Sequence, residues 1–453
     1  MMSSPIGKRA IVVGAGIGGL TAAGALADHF ERVLVLERDA LPADAVDRPA
    51  VPQGKHVHAL LAGGLRALGE LFPGFETDLL EAGAVTLRAG LDVRTERPGF
   101  DPFPQRDLGF DAAAMSRPLL EWLVRERVRA LSNVELRQQC RVAAVTARPD
   151  RTAITGVRYE RPGTAGETVQ ADLIVDASGR GTLALELLSW IGKPPPEAST
   201  IGVDLRYATA IFAIPDDAPT DWKGVFCFPQ APRSSRGALL LPLEGRRWIV
   251  TLAARHDEEA PADAEGFMAF ARQLRTPTIH RAIEHAKRLG EITRFGFPES
   301  VYRHYERLAT FPRGLLVVAD AVCRFNPVYG QGMTVAAQEA AALRRLLSAR
   351  AREADPLDGL ASPFFAAAAD VIDNPWFGAA VPDFIHPQTR GTRPDDFEAM
   401  LKFGMALTRL AARDPAVHKL TAEVQNLLKP RSAYREPEVL QRILALTGTS
   451  QNV

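Results

Sequence analysis

The chain has 453 residues, 46% of them hydrophobic and 24% charged, a globular composition that argues against a disordered or integral membrane protein. Its 54 Lys and Arg balance its 54 Asp and Glu, so no charge excess points to nucleic acid or an anionic membrane surface, and a small neutral or weakly charged ligand fits better. That length buries a large core over two or three domains and is long enough for a complete enzyme.

In chain order, Lys8 and Arg9 precede an uncharged run from Ala10 to Ala27 that superficially resembles a secretory signal. Its five glycines argue otherwise, because they fall in a nucleotide-binding pattern. No other uncharged run reaches the length of a membrane span, so no integral membrane segment is expected. Arg9 to Val13 reads as a buried strand, Ile17 to Asp28 as a helix and Arg32 to Glu37 as a second strand, which opens a βαβ unit. Gly14, Gly16 and Gly19 occupy its turn in G-x-G-x-x-G register: the first permits the tight turn, the second lets backbone reach a pyrophosphate, the third lets helix pack on strand. Glu37, at the end of the second strand with Arg38 behind it, can accept hydrogen bonds from ribose hydroxyls. A free 2′-hydroxyl is favoured over a 2′-phosphate.

The stretch from Ala59 to Phe72 carries leucines at 60, 61, 65, 68 and 71, a helical stripe read as core. Ser116-Arg117-Pro118 starts another helix through about Leu131, with Ser116 as N-cap and Pro118 in its first turn. Segments near Val85 to Arg94 and Ile201 to Ala253 are rich in β-branched and aromatic residues and predict a separate antiparallel sheet. Phe212, Trp222, Phe226, Phe228, Leu239, Leu241 and Trp248 give that sheet apolar surface for a hydrophobic ligand; most are expected to be core, with two or three touching substrate. From Asp263 onward helices dominate, interrupted by strands near Glu291 to Tyr305 and Leu315 to Ala319. The Asn374-Pro375-Trp376-Phe377 stretch reads as a turn among the C-terminal helices.

Leu173 to Val175 is a short apolar strand, followed by the turn Asp176-Ala177-Ser178-Gly179-Arg180-Gly181-Thr182, which can bring an acid and open backbone to a second part of a dinucleotide. Asp320, at the end of the strand ending near Ala319, can meet a ribityl hydroxyl. Then come Asn326-Pro327-Val328-Tyr329-Gly330-Gln331-Gly332-Met333, where Gly330 and Gly332 let backbone amides approach a flat ligand. The helix predicted from about Thr334 to Leu347 points its positive end there, which favours an anionic reduced flavin.

The ordered set Gly14/Gly16/Gly19 with Glu37, Asp176 to Thr182, and Asp320 with Asn326 to Met333 resembles the single-component FAD-dependent monooxygenases of the aromatic hydroxylase superfamily. The local phrases Val51-Pro52-Gln53-Gly54-Lys55-His56-Val57-His58, Tyr302 to Leu308 and Phe325 to Met333 look most like the bacterial polyether epoxidases related to squalene epoxidase. That resemblance implies oxygen insertion into a hydrophobic natural-product intermediate, by alkene epoxidation or hydroxylation through a flavin 4a-hydroperoxide. It implies FAD as cofactor, dioxygen as co-substrate and NADPH as transient electron donor, with a separate flavin reductase as the alternative source. It places Arg117 on the FAD phosphates or ribose, Val142 on the adenine through its backbone, and Gly54 and Lys55 along the flavin edge, with Pro327 and Met333 in the flavin loop. The family usually has Gly-Asp where this chain has Ala319-Asp320, one methyl more beside the cofactor.

The resemblance further implies an α/β fold: a Rossmann-like FAD-binding domain from segments 1–80, 112–185 and 300–348, an inserted β-rich substrate domain from 81–111 and 186–299, and C-terminal helices over 349–453. No side chain is assigned as general acid or base, since the cofactor carries the chemistry. Alternatives are an aromatic-ring hydroxylase, a geranylgeranyl-type flavin reductase that saturates alkenes, and a flavin-binding protein without turnover. No Trp-x-Trp-x-Ile-Pro segment supports halogenation and no G-x-S-x-G elbow supports hydrolysis. Cys140, Cys227 and Cys323 are too scattered for a disulfide framework, a zinc site or a redox dithiol, so a cytoplasmic location is expected. His56 and His58, beside Lys55, lack a third ligand nearby and read as a solvated turn rather than a metal site.

Overall fold

Strand β1 (Gly7–Val13), helix α1 (Ile17–Ala27) and strand β2 (Phe30–Leu36) form where the apolar pattern places them. Ala10, Ile11 and Val12 of β1 are wholly buried, as a central parallel strand covered on both faces requires. The computed structural model describes residues 5–49, 51–58 and 60–447.

After β2 the chain runs through α2 (Ala62–Leu71), α3 (Phe75–Glu81), β3 (Val85–Arg88), β4 (Val93–Glu96) and β5 (Asp111–Ala114) to α4 (Arg117–Arg129). The predicted leucine-striped helix starts at Ala62, and Ala59, where it was expected to begin, lies outside the described residues. Ser116 caps α4 as predicted, its hydroxyl accepting from the Leu119 amide at 3.2 Å. Strand β6 (Val134–Arg137) then joins the first sheet, and β7 (Arg141–Ala147), β8 (Ile154–Glu160) and β9 (Glu167–Gln170) make a small antiparallel meander before β10 (Leu173–Asp176) and α5 (Thr182–Trp190).

Long strands follow: β11 (Ala198–Ala213), β12 (Gly224–Cys227), β13 (Gly237–Leu243), β14 (Arg247–Arg255) and, beyond α6 (Ala264–Arg272) and α7 (Thr278–Ile283), β15 (Arg288–Arg303). The chain returns through β16 (Leu315–Val317) and β17 (Cys323–Arg324) to α8 (Gly332–Arg350), and ends in α9 (Ala361–Asp383), α10 (Phe397–Arg413), α11 (Pro415–Gln425) and α12 (Pro437–Thr447).

Among the described residues, β16, β10, β1, β2 and β6 form a five-stranded sheet in that order, every pair parallel. Parallel order brings the turns after β1, β10 and β16 to the same edge, where a doubly wound sheet binds its ligand. A seven-stranded sheet runs β17, β15, β11, β14, β13, β12, β4. It is antiparallel except at its edge, where β4 pairs parallel with β12, and β3 pairs with β5 in a separate ribbon. The segment Val85 to Arg94 is thus divided between two sheets rather than belonging to the single antiparallel sheet expected.

Strand alternation gives the large sheet two apolar faces. Phe212, Trp222, Trp248, Val250 and Leu252 pack under α6 and α7 with Phe267 and Phe270. Ile211, Phe226, Leu241 and Ile249 lie on the other face with Val57, and further along that face Tyr207 packs with Val328 and α9. Phe212, Trp222 and Trp248 are therefore core, which leaves Phe226, Leu239 and Leu241 of the predicted set on the opposite face and Phe228 just past β12, under the Arg97 guanidinium.

Three local expectations are corrected. The strand expected to reach Ala319 ends at Val317; Ala319 takes φ +57° and opens a short 3₁₀ turn that carries Asp320. The long helix starts at Gly332, not Thr334, and runs to Arg350. The Asn374-Pro375 turn does not exist: both residues lie inside α9, where Asn374 instead donates its side-chain amide to the Val424 carbonyl at 2.9 Å.

The extra methyl of Ala319 has a place. A Cβ built on Gly18 would come 2.5 Å from the Ala319 Cβ, so the methyl is turned onto α1 and occupies room that glycine leaves there. Gly18→Ala should destabilise the FAD-free protein by about 1–3 kcal/mol through overpacking. Ala319→Gly should remove most of that cost, giving strong coupling in a urea-unfolding double-mutant cycle. Simple additivity of the two changes would refute this packing.

Candidate active site

The glycine turn after β1 is built as its spacing demands. Gly14 has φ +103°, and a Cβ on Gly19 would fall 1.9 Å from the Gly14 carbonyl oxygen, a contact no side chain survives. A Cβ on Gly16 would meet nothing within 4 Å, so this is the open position through which a ligand reaches backbone. The Glu37 carboxylate accepts from the Ala15 amide at 2.7 Å and the Asp39 amide at 3.0 Å.

Sequence reading missed Arg48. Its side chain is 4% exposed and reaches Glu121 at 2.6 Å, Glu37 at 3.0 Å, Asp39 at 3.4 Å and the Ala15 carbonyl at 3.1 Å. Burial works against its charge, but Glu121 and Glu37 outweigh that and raise its pKa above the ordinary arginine value.

At the outer end of the turn, Arg38 is exposed and lines an open cleft with Gln139, Arg141, Glu160, Arg161 and Pro162. The segment before Val142 is held against β2 by the Cys140 amide, which donates to the Glu37 carbonyl at 2.7 Å. Val142 begins an irregularity in register, shifting between Val142 and Ala144 against β8. Its backbone thus stands near Arg38, where resemblance places the adenine.

Arg117 opens α4 beside the short turn Pro52–Lys55: a Cβ on Gly54 would lie 3.7 Å from the Arg117 Cγ. The Arg117 guanidinium meets Glu121 at 3.2 Å, while its buried Nε has no partner among the described residues. Lys55 is exposed. Gly54, Arg117 and Glu121, with Val46, Arg48 and Val51, line a narrow cleft at the edge of the glycine turn, and Lys55 is not part of its lining.

Asp176 is fully buried and its carboxylate accepts from the Ser178 and Ala184 amides, each at 3.0 Å. It therefore shapes the turn and fixes the start of α5, and what that turn presents is backbone. The three cysteines are free thiols, all buried.

Asp320 is different. No hydrogen bond to its carboxylate is made among the described residues, and burial raises its pKa against the opposing charges of Arg117 and Arg324. Behind it, Glu339 of α8 accepts from the Ala319 amide at 2.7 Å, and burial, with Asp320 adding, pushes its pKa up to about 8. The loop before α8 turns through Gly330 at φ +66°, and a Cβ on Gly332 would meet only the Asp320 Oδ1, at 3.9 Å. Pro327 starts the loop's 3₁₀ turn, the Asn326 side chain accepts from the Val328 amide at 3.2 Å, and Met333 is buried in the core.

The loop is anchored from behind by a cluster no motif announced. Asp383, at the end of α9, is wholly buried and accepts from Tyr329 at 2.7 Å, from the Asn326 amide at 3.1 Å, and from Arg255 of β14 in an ion pair. Burial opposes the Arg255 charge, but Tyr329 and Asp383 outweigh it and hold the pKa above its usual value.

His56 turns to the sheet. Its Nδ1 lies 2.7 Å from the Thr209 hydroxyl, its ring packs against both Tyr207 and Phe295, and burial lowers its pKa to about 4. The ring is thus buried and neutral rather than solvated as expected; His58 hydrogen-bonds the His56 carbonyl at 2.9 Å.

An open glycine turn beside a paired acid, a carboxylate and an arginine Nε without partners, and a second glycine pair at a helix N-terminus fit FAD in extended form. Gly16, in the turn that Gly14 and Gly19 shape, would face its pyrophosphate, Asp320 its ribityl chain and Gly330 and Gly332 its ring. Fold and site together define a flavoprotein whose cofactor domain borders a β-rich second sheet. The FAD binding domain family matches residues 8–362, and the chain belongs to that family, whose type is the FAD-dependent monooxygenase and hydroxylase.

Protein Rv3254 of Mycobacterium tuberculosis (strain ATCC 25618 / H37Rv) is 35% identical over 354 residues, covering 75% of this chain and 73% of that protein. PqsL of Pseudomonas aeruginosa, described as a probable FAD-dependent monooxygenase, superposes with TM-score 0.60 at 18% identity over 83% of this chain and 97% of its own. The flavin-dependent brominase Bmp2 superposes with TM-score 0.65 at 14% identity over 97% and 98%. At these identities the last two likenesses concern the fold.

Gly332→Val should leave the FAD-free fold within about 0.5 kcal/mol, because the added methyls meet open space. It should weaken FAD binding at least about ten-fold by filling that space. Unchanged FAD affinity, measured by fluorescence titration, would misplace the loop. Asp383→Ala leaves the buried Arg255 guanidinium without its counter-charge and should cost about 3–5 kcal/mol in urea unfolding, where a loss below about 1 kcal/mol would show the cluster to be incidental.

Proposed function

We propose that this protein is a monooxygenase that inserts one oxygen atom from dioxygen into a hydrophobic natural-product intermediate, by alkene epoxidation or hydroxylation. The observation that carries this reading is the juxtaposition of the flavin loop with an apolar sheet face: Val328 of that loop packs in one cluster with Tyr207 and Phe295, and Val57 joins Phe226, Leu241 and Ile249. A hydrophobic substrate on that face would lie beside the cofactor ring with little water near it. FAD, when bound and reduced, supplies the activation of dioxygen.

The chain's own groups position and shield. Gly332 offers its backbone amide at the α8 N-terminus, where negative charge is stabilised, while the Gly330 amide donates to the Pro327 carbonyl at 3.0 Å and shapes the turn; Asp320 and Arg117 would hold the cofactor's chain. The phrases around Val51 to His58 and Phe325 to Met333 support the epoxidase branch, and the description of PqsL as a monooxygenase supports oxygenation. Electrons come from NADPH, or from a separate flavin reductase.

The test supplies the FAD-loaded protein with NADPH, or with a flavin reductase where NADPH alone is not consumed, under ¹⁸O₂, and offers polyene and aromatic compounds. Substrate-dependent oxygen uptake with one labelled atom in the product is expected. Unlabelled, saturated product would identify an alkene reductase instead, and absence of any substrate-dependent uptake a flavin-binding protein without turnover.

A further inference from the structure

His56 is 3% exposed, yet its Nε2 is buried with no partner among the described residues. The hydroxyl chain behind the ring decides what that nitrogen carries. Thr251 Oγ1 accepts from the Val57 amide at 3.1 Å and lies 2.6 Å from Thr209 Oγ1, which lies 2.7 Å from His56 Nδ1. Among the described residues Thr251 has one acceptor for its own proton, Thr209. Thr209 then donates its proton to Nδ1, so Nδ1 is the acceptor and the ring proton sits on Nε2. The opposite arrangement would leave two buried groups unpaired among the described residues, one threonine hydroxyl proton and the Nε2 lone pair, against the single Nε2–H of this one.

The ring is therefore fixed as a neutral donor. It stands on the sheet face where Tyr207 and Phe295 flank it, with centroids at 5.7 and 5.5 Å, and its loop continues from the Gly54 turn beside Arg117. A buried N–H in an apolar wall discriminates by what it rejects: a ligand with no acceptor leaves it unpaired, whereas one acceptor oxygen satisfies it.

We propose that His56 Nε2–H is the specificity-determining hydrogen-bond donor of the substrate pocket, and that the otherwise hydrophobic substrate presents an acceptor oxygen, of carbonyl type, to it. This rests on the reading of the sheet face as the substrate site. It narrows that reading, since a pure hydrocarbon alkene is then a poor ligand.

The experiment measures binding rather than turnover. The full chain, loaded with oxidised FAD, is dialysed to equilibrium against 2-acetylnaphthalene and against 2-ethylnaphthalene, which match in shape and differ in the acceptor. The wild type is expected to bind the ketone about ten-fold more tightly. His56→Leu should bind both alike while keeping its FAD affinity, and Thr209→Val, which frees the tautomer without removing the ring, should shrink the preference. Histidine ¹⁵N spectra should report the Nε2–H tautomer for His56.

Equal binding of the two compounds to the wild type, a preference that survives His56→Leu, or the Nδ1–H tautomer would overturn the proposal. Loss of FAD from His56→Leu with the fold intact would move the donor onto the cofactor and overturn it as well. If neither compound binds, the hydrophobic-pocket reading falls and this one with it. Ketone selectivity without oxygen incorporation would keep His56 in its role and remove only the oxygenase.

Discussion

One buried carboxylate holds the site's back wall. Asp383 is wholly inside the protein, and a charge there is tolerable only when its lone pairs are matched. The matching groups come from two places, Arg255 on the large sheet and Asn326 with Tyr329 in the loop before α8, while Asp383 itself ends a C-terminal helix. Any shift of the loop away from α9 would strip the buried carboxylate of its Tyr329 and Asn326 hydrogen bonds. The position of the loop against the sheet face is thereby set by polar contacts in the interior rather than by loop stiffness.

A second cluster does the same work at the other end of the cofactor. Arg48 joins Glu37, Glu121 and Asp39, so the end of β2, the loop after it and α4 are drawn onto the glycine turn. Glu37 is thus engaged on both sides, by the Ala15 amide and by a guanidinium. The acid at the end of the second strand, expected to face a ribose, organises the turn itself. Two arginine-centred clusters bracket the cleft, and between them lie the open Gly16 and Gly332 positions.

Much of this was legible because it is local. The βαβ opening, the glycine register, the Ser116 cap and the order of the cofactor motifs depend on residues a few positions apart, and the parallel sheet follows from the alternation of strand and helix. What was not legible depends on distant partners. Nothing near Asp383 or Arg48 in sequence reveals the groups that neutralise it. Asn374-Pro375 carries a turn signal that helix packing overrides, since the Asn374 amide finds a carbonyl on another helix. Val93 to Glu96 joins an antiparallel sheet in parallel, a choice made by the neighbour β12 rather than by its own residues. At Ala319 the departure from glycine was visible but its direction was not: the methyl faces Gly18 rather than the cofactor.

The charges that remain follow a single logic. Where a ligand is expected, the ionisable groups are held toward their neutral forms by burial: His56 falls to about 4, Glu339 rises to about 8 and Asp320 shifts upward with it. Asp320, beside the α8 N-terminus, would, if ionised, cancel the positive end of that helix. Its raised pKa works against that cancellation and leaves the helix end and the Gly332 amide available to an anionic ligand. His56, uncharged, adds a directional N–H to the apolar face without the desolvation cost of an imidazolium. Of the charged pairs, Arg255 with Asp383 lies behind the wall, and Arg48 with Glu121 stands at the cleft beside the glycine turn. Binding geometry and electrostatic preference thus come from the same arrangement, in which paired charges build the frame and neutral polar groups meet the ligands.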